Sequence, residues 1–142
     1  MSEYQESGKL TQQEHDAWVR EQFQRANKHL AENGVLFDTV NTNSSRYLAP
    51  FVAVWKIRAQ DKKSYWVICG DLPADFTIES NAENARDAIR YFSMHWQVKA
   101  ENIRQSGIQD KVQQDYANLL QSRAEGLFDI YEMDKLWNPA KA

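Results

Sequence analysis

Two β-rich runs, Phe51-Val52-Ala53-Val54-Trp55-Lys56-Ile57-Arg58 and Ser64-Tyr65-Trp66-Val67-Ile68-Cys69-Gly70, flank the polar stretch Gln60-Asp61-Lys62-Lys63, and no other feature restricts the fold as strongly. Aromatic and β-branched side chains suit a pleated, half-buried surface, and the polar break returns the chain on itself as an antiparallel hairpin. With those four turn residues unpaired, Ala59 faces Ser64, Ile57 faces Trp66, Trp55 faces Ile68 and Ala53 faces Gly70. Both tryptophans then point to one nearly all-apolar face, over which helices are expected. The reverse face carries Val52, Val54, Val67 and Cys69 at one end. Lys56, Arg58 and Tyr65 stand at its other end and form an exposed sheet face.

The flanking segments read as helices. Thr11-Gln12-Gln13-Glu14 matches a capping box, in which the Thr hydroxyl and the Glu carboxylate each satisfy a backbone N–H that a helix start leaves unpaired. From there a helix is predicted over 12–33, with Trp18, Val19, Phe23, Ala26 and Leu30 on one side and Asn33-Gly34 as the left-handed stop. Val35 to Val40 reads as a strand and Asn41-Thr42-Asn43-Ser44-Ser45 as a polar loop; Phe76-Thr77-Ile78 is a further short strand. Ser80 or Asn81 caps a second helix running to about 105, with the stripe Ala85, Ala88, Ile89, Phe92, Trp96, Ala100 and Ile103. Tyr91, Met94 and Val98 lie on nearly its opposite side, and a helix with two apolar sides is either sandwiched inside the fold or meets a partner. A third helix over 109–135, straight or bent, keeps Val112, Tyr116, Leu119, Leu120, Leu127, Ile130 and Tyr131 in phase across Gly126, and Trp137-Asn138-Pro139 closes the domain.

The fold expected is α+β, a small antiparallel sheet of three or four strands packed against three helices. Residues 1–10 are polar and unpatterned and read as a frayed arm, leaving 11–142 as a single domain. A chain of 142 residues can bury a core without disulfides or a structural metal. A net charge of -3 supplies no basic field for phosphate backbones, so nucleic acid is disfavoured as a partner. No run approaches a membrane span, and Met1 to Glu6 lacks the basic start and apolar run of a signal peptide. With a single cysteine, a reducing cytoplasm is the simplest address; Asn43-Ser44-Ser45 then reads as a polar loop despite matching a glycosylation acceptor.

Candidate chemistry gathers at Cys69-Gly70-Asp71-Leu72-Pro73-Ala74-Asp75. A thiol at a strand end, partnered by His95 and oriented by Asp71 or Asp75, would make a nucleophilic triad. The structural alternative is that Cys69 is a small core residue with nothing nearby to lower its pKa. Asp71 and Asp75 could cup a cation or act as an acid–base pair; equally they bond local backbone N–H groups in a turn. His15, His29 and His95 stand singly, each without the second histidine one turn away that a ligand pair requires. No metal or cofactor is therefore expected. Lys56, Arg58, Lys62 and Lys63 with Tyr65 resemble the start of a single-strand platform but lack further stacking rings, and charges at a hairpin tip keep an edge soluble.

From Trp66-Val67-Ile68-Cys69-Gly70-Asp71-Leu72-Pro73-Ala74-Asp75 and the downstream Ala85 to Trp96, the chain resembles an uncharacterised bacterial family, domain of unknown function family 4826. The resemblance implies a cytoplasmic bacterial protein with no assigned activity and no catalytic residues to carry over. The residues favour a non-enzymatic interaction or regulatory module, with self-association through Tyr91, Met94 and Val98. An immunity-type protein that neutralises a basic toxin is one form of this. The rival is a small enzyme or redox-sensitive protein using Cys69 with Asp71, Asp75 or His95.

Overall fold

Thr11 starts the first helix as expected. Its Oγ1 accepts from the Glu14 N–H at 3.1 Å while Glu14 Oε1 accepts from the Thr11 N–H at 3.0 Å. This computed structural model describes residues 10–107 and 110–138. Of the arm expected at 1–10, only Leu10 falls among them. Helix α1 spans Gln12–Glu32 and ends at Asn33, after which Gly34 takes a φ of +80°. The chain divides into two units, Met1–Asn81 and Ala82–Ala142.

The first unit joins α1 to a four-stranded antiparallel meander in the order β1 (Phe37–Leu48), β2 (Val52–Ala59), β3 (Ser64–Gly70) and β4 (Leu72–Ile78). Ala26 and Leu30 of α1 are buried in one core with Ala53, Trp55, Ile57, Ala59, Tyr65, Val67 and Cys69, and Trp18, Val19 and Phe23 pack against it. Rings interlock there: Phe23 meets Trp55 at 5.0 Å and Phe37 edge-on at 5.4 Å, while Tyr47 meets Trp55 at 4.7 Å. Each such pair is worth about 0.5–1.5 kcal/mol beyond its buried area.

The hairpin register differs from the expected one by a single residue. Arg58 pairs with Ser64, Lys56 with Trp66, Trp55 with Val67 and Ala53 with Cys69. Lys62 causes the shift, adopting a φ of 69° so that Ala59 and Lys63 close a shorter loop of Gln60, Asp61 and Lys62. A three-residue loop with a left-handed last position forms a bulged turn, whereas the four-residue loop keeps Lys63 unpaired. Asp61 completes the turn, accepting from the Lys63 N–H at 2.8 Å and the Tyr65 hydroxyl at 2.7 Å. Those bonds, the tyrosine's first, hold the Asp61 carboxyl below its ordinary range. The consequence is that Trp55 and Trp66 are both buried but on opposite faces. Tyr65 is only 7% exposed and belongs to the Trp55 face, so it does not share a surface with Lys56 and Arg58.

Two further strands run longer than expected. The polar stretch Asn41–Ser45 is not a free loop but a bulge inside β1, which advances from Asn41 to Arg46 while β2 advances only from Lys56 to Val54. Ser45 fills the gap, its hydroxyl donating to the Asn41 carbonyl at 2.8 Å and accepting from the Lys56 N–H at 3.0 Å. At the other edge β4 begins at Leu72, immediately after a turn at Asp71, and includes Pro73. An edge strand tolerates proline because one side of its backbone needs no donor.

In the second unit, Asn84 rather than Ser80 or Asn81 caps helix α2 (Ala85–Gln105), accepting from the Asp87 N–H at 2.8 Å. Glu79–Asn81 instead forms a 3-10 turn at the end of the first unit. The expected stripe is buried from Ala85 to Ala100, with Ser93 added to it. Asp110 caps helix α3 (Lys111–Glu132), which passes through Gly126 without a break and stops at Met133 before the short α4 (Asp134–Trp137). Residues 108–109 and Pro139 lie outside the described residues. The α3 core face is Ala117, Leu120, Ala124 and Leu127, while Val112 and Leu119 are 70% and 38% exposed. Small residues carry the contact because Ser93 Oγ donates to the Ala124 carbonyl at 2.6 Å, an approach that bulky side chains would prevent. Ser93 against Ala124 and Arg104 against Asn118 (3.0 Å) make the two helices an antiparallel pair. Arg86 straps α4 to this pair, donating to the Tyr131 carbonyl at 2.8 Å and pairing with Asp134 at 2.7 Å.

Candidate functional site

The strand end that carries Cys69 is sealed. Val67 and Cys69 point into the core under α1, and the thiol is buried and donates to the Gln22 carbonyl at 3.3 Å. Burial pushes its pKa up to about 11; the Trp55 side chain and the positive charge of Arg25 pull the other way without offsetting that. A thiol in this state holds its proton at neutral pH and is a poor nucleophile. Asp71 is exposed at the β3–β4 turn, and its N–H donates to the Phe51 carbonyl at 2.9 Å. Asp75 sits within β4 opposite Ile68, its carboxylate accepting from the Phe76 N–H at 2.8 Å. Residues 69–75 are thus the end of β3, a turn at Asp71 and the start of β4. His95 belongs to the second unit, where it is exposed and stacked on Tyr91 at 5.6 Å.

His29 meets the edge of Phe76 at 5.7 Å, and His15 lies 3.5 Å from Asp16. Among the described residues, no three His, Cys, Asp or Glu side chains come together in a way that would hold a metal. On α2, Met94 and Val98 are 45% and 59% exposed, with Tyr91 half-buried beside them. Spacings of three and four residues put them in one row on the outer side of the helix.

A polar cleft of about 270 Å³ opens on the Trp66 face of the sheet, at the end nearest the hairpin turn. Its floor follows from register. Thr39, Arg58 and Ser64 are directly paired across β1, β2 and β3, and Asn41, Lys56 and Trp66 form the next row. Directly paired residues share a face, so the side chains of each row project together. Lys56 Nζ contacts Glu79 Oε2 at 2.7 Å and lies 5.5 Å from the Trp66 ring centre. Glu79 enters from the 3-10 turn after β4. Lys56 and Arg58 were expected on an exposed face; Thr39, Asn41, Ser64 and Glu79 were not anticipated. Alternation at Thr39/Asn41 and Lys56/Arg58 was the available signal, and Ser64 joins them only in the bulged-turn register.

A family model described as Domain of unknown function (DUF4826) matches residues 12–137, nearly the whole chain. The chain belongs to this family. The matched DUF4826 span runs from the start of α1 to the end of α4 and so covers most of each unit. No curated protein and no solved structure matches the chain. Among the described residues of this DUF4826 chain, no helix is long and apolar enough to cross a membrane.

Proposed function

We propose that this chain is a non-enzymatic protein-interaction module that self-associates through the outer side of α2. The observation that carries the reading is the row of exposed Met94 and Val98 with half-buried Tyr91 on the side of the helix away from its buried stripe. Rows at this spacing are how one helix meets another. Arg90 and Glu101 flank the row on the same side, both exposed and of opposite charge. A second copy running antiparallel would bring each arginine toward the other copy's glutamate, giving an isologous contact. Burial of Cys69 and its raised pKa count against the enzymatic alternative. A lone buried thiol also suits a reducing, cytoplasmic setting.

Multi-angle light scattering on the wild-type chain beside Met94→Lys tests this reading. The wild type is expected to run as a dimer and the variant as a monomer with an unchanged circular dichroism spectrum. A monomeric wild type, or a variant that remains dimeric, overturns it.

A further inference from the structure

The polar cleft of the first unit has a charge balance that selects its ligand. Lys56, Arg58 and Glu79 are the charged residues lining it. Lys56 is already neutralised by Glu79 at 2.7 Å and held over Trp66, so its position and charge are both committed. Arg58 is the remaining cation. Among the described residues its guanidinium meets no hydrogen-bond or ion-pair partner, and it stands in the middle of the Thr39–Arg58–Ser64 row, on a central strand of the sheet. A planar fork of five donors matches a carboxylate in two parallel hydrogen bonds, and the hydroxyls to either side suit its remaining lone pairs. One uncompensated positive charge balances one negative charge, which favours a carboxylate over a phosphate dianion.

We propose that this cleft binds a small molecule bearing a carboxylate, with Arg58 taking the carboxylate and Thr39 and Ser64 flanking it. The Glu79 carboxylate, across the cleft and already oriented by Lys56, presents an acceptor to a donor group on the same ligand. The site is independent of the α2 contact, because every residue it uses lies in the first unit.

The test is an amide chemical-shift titration of the full chain with sodium acetate, at ionic strength held constant with sodium chloride, and a parallel titration with inorganic phosphate. Acetate is expected to give saturable shifts centred on Thr39, Arg58 and Ser64. Arg58→Gln should weaken them about tenfold or more, as loss of a charge-assisted pair implies, and Arg58→Lys should fall between. The spectrum of each variant before titration reports whether it is folded; should Arg58→Gln be unfolded, Arg58→Lys decides. Unsaturable acetate shifts, a response unchanged by the arginine substitutions, or tighter saturable binding of phosphate at the same amides would each overturn the proposal.

Discussion

Arg25 on α1 donates to the Gly70 carbonyl at 2.6 Å. The same guanidinium reaches the Leu72 carbonyl at 3.4 Å and Gln22 Oε1 at 2.9 Å. One side chain thus ties the helix to both sides of the β3–β4 turn. Arg25→Met should cost about 1.5–3 kcal/mol, the usual worth of a hydrogen bond to a charged group. Urea unfolding would register this as a lower midpoint at constant slope.

Gly70 itself admits no side chain. Its φ is +137°, and an added Cβ would sit 2.3 Å from the Phe51 carbonyl oxygen, which is backbone and cannot yield cheaply. Gly70→Ala should therefore cost more than about 3 kcal/mol, combining backbone strain with displacement of β2. The same denaturation experiment reads it, and a loss smaller than that of Arg25→Met would contradict the geometry.

Cys69 gives stability a pH dependence of defined sign. Its ordinary pKa is 9.0 and the folded chain raises it to about 11, so the folded state keeps a proton that the unfolded state releases. The contribution is complete below pH 9 and is lost as pH rises to 11, at up to about 1.4 kcal/mol per pH unit. Cys69→Ala lacks this titration, so the difference in unfolding free energy between wild type and variant should shrink across that window. A disulfide reagent at mildly alkaline pH should label the wild-type thiol only as fast as the chain opens.

Legibility tracked the range of the interaction involved. The capping box at Thr11, the stop at Asn33-Gly34 and the buried stripe of α2 depend on neighbours within a turn or two, and each lies where the residue pattern puts it. The hairpin was equally visible, but its register rested on Lys62, whose left-handed backbone no lysine advertises. That one conformation sends Trp66 to the face opposite Trp55 and removes Tyr65 from the cationic surface. Without it the row of Thr39, Arg58 and Ser64 could not be assembled from the residues alone. The α2–α3 contact was hidden for a different reason: Ala124 reads as an ordinary helix former until the close approach of Ser93 gives its small size a purpose.

Lys62 offers a gain in stability. A non-glycine residue at a φ of 69° carries a left-handed penalty that glycine avoids, partly offset by the extra freedom glycine loses on folding. Lys62→Gly should stabilise the chain by about 0.5–1 kcal/mol, while Lys62→Val should lower the thermal midpoint.

At the start of α1, Thr11→Ala should cost about 1 kcal/mol through loss of the cap. Its partner Glu14 has a pKa lowered from 4.5, chiefly by the hydrogen bond from the Thr11 N–H. Glu14 therefore stabilises the helix above that ordinary value and ceases to as pH falls through the folded one. The gap between wild type and Glu14→Gln in urea midpoint should close as pH falls from neutral through 4.5 and on through the lowered folded value.

The two outer strands of the sheet are both spoiled as templates, β1 by the bulge that Ser45 stitches to Lys56 and β4 by the missing donor at Pro73. An incoming extended chain would find its ladder of backbone bonds interrupted on either flank. Concentrated solutions of this protein should accordingly resist growth into fibrils seeded edge to edge, and whatever assembly it undergoes is left to side chains.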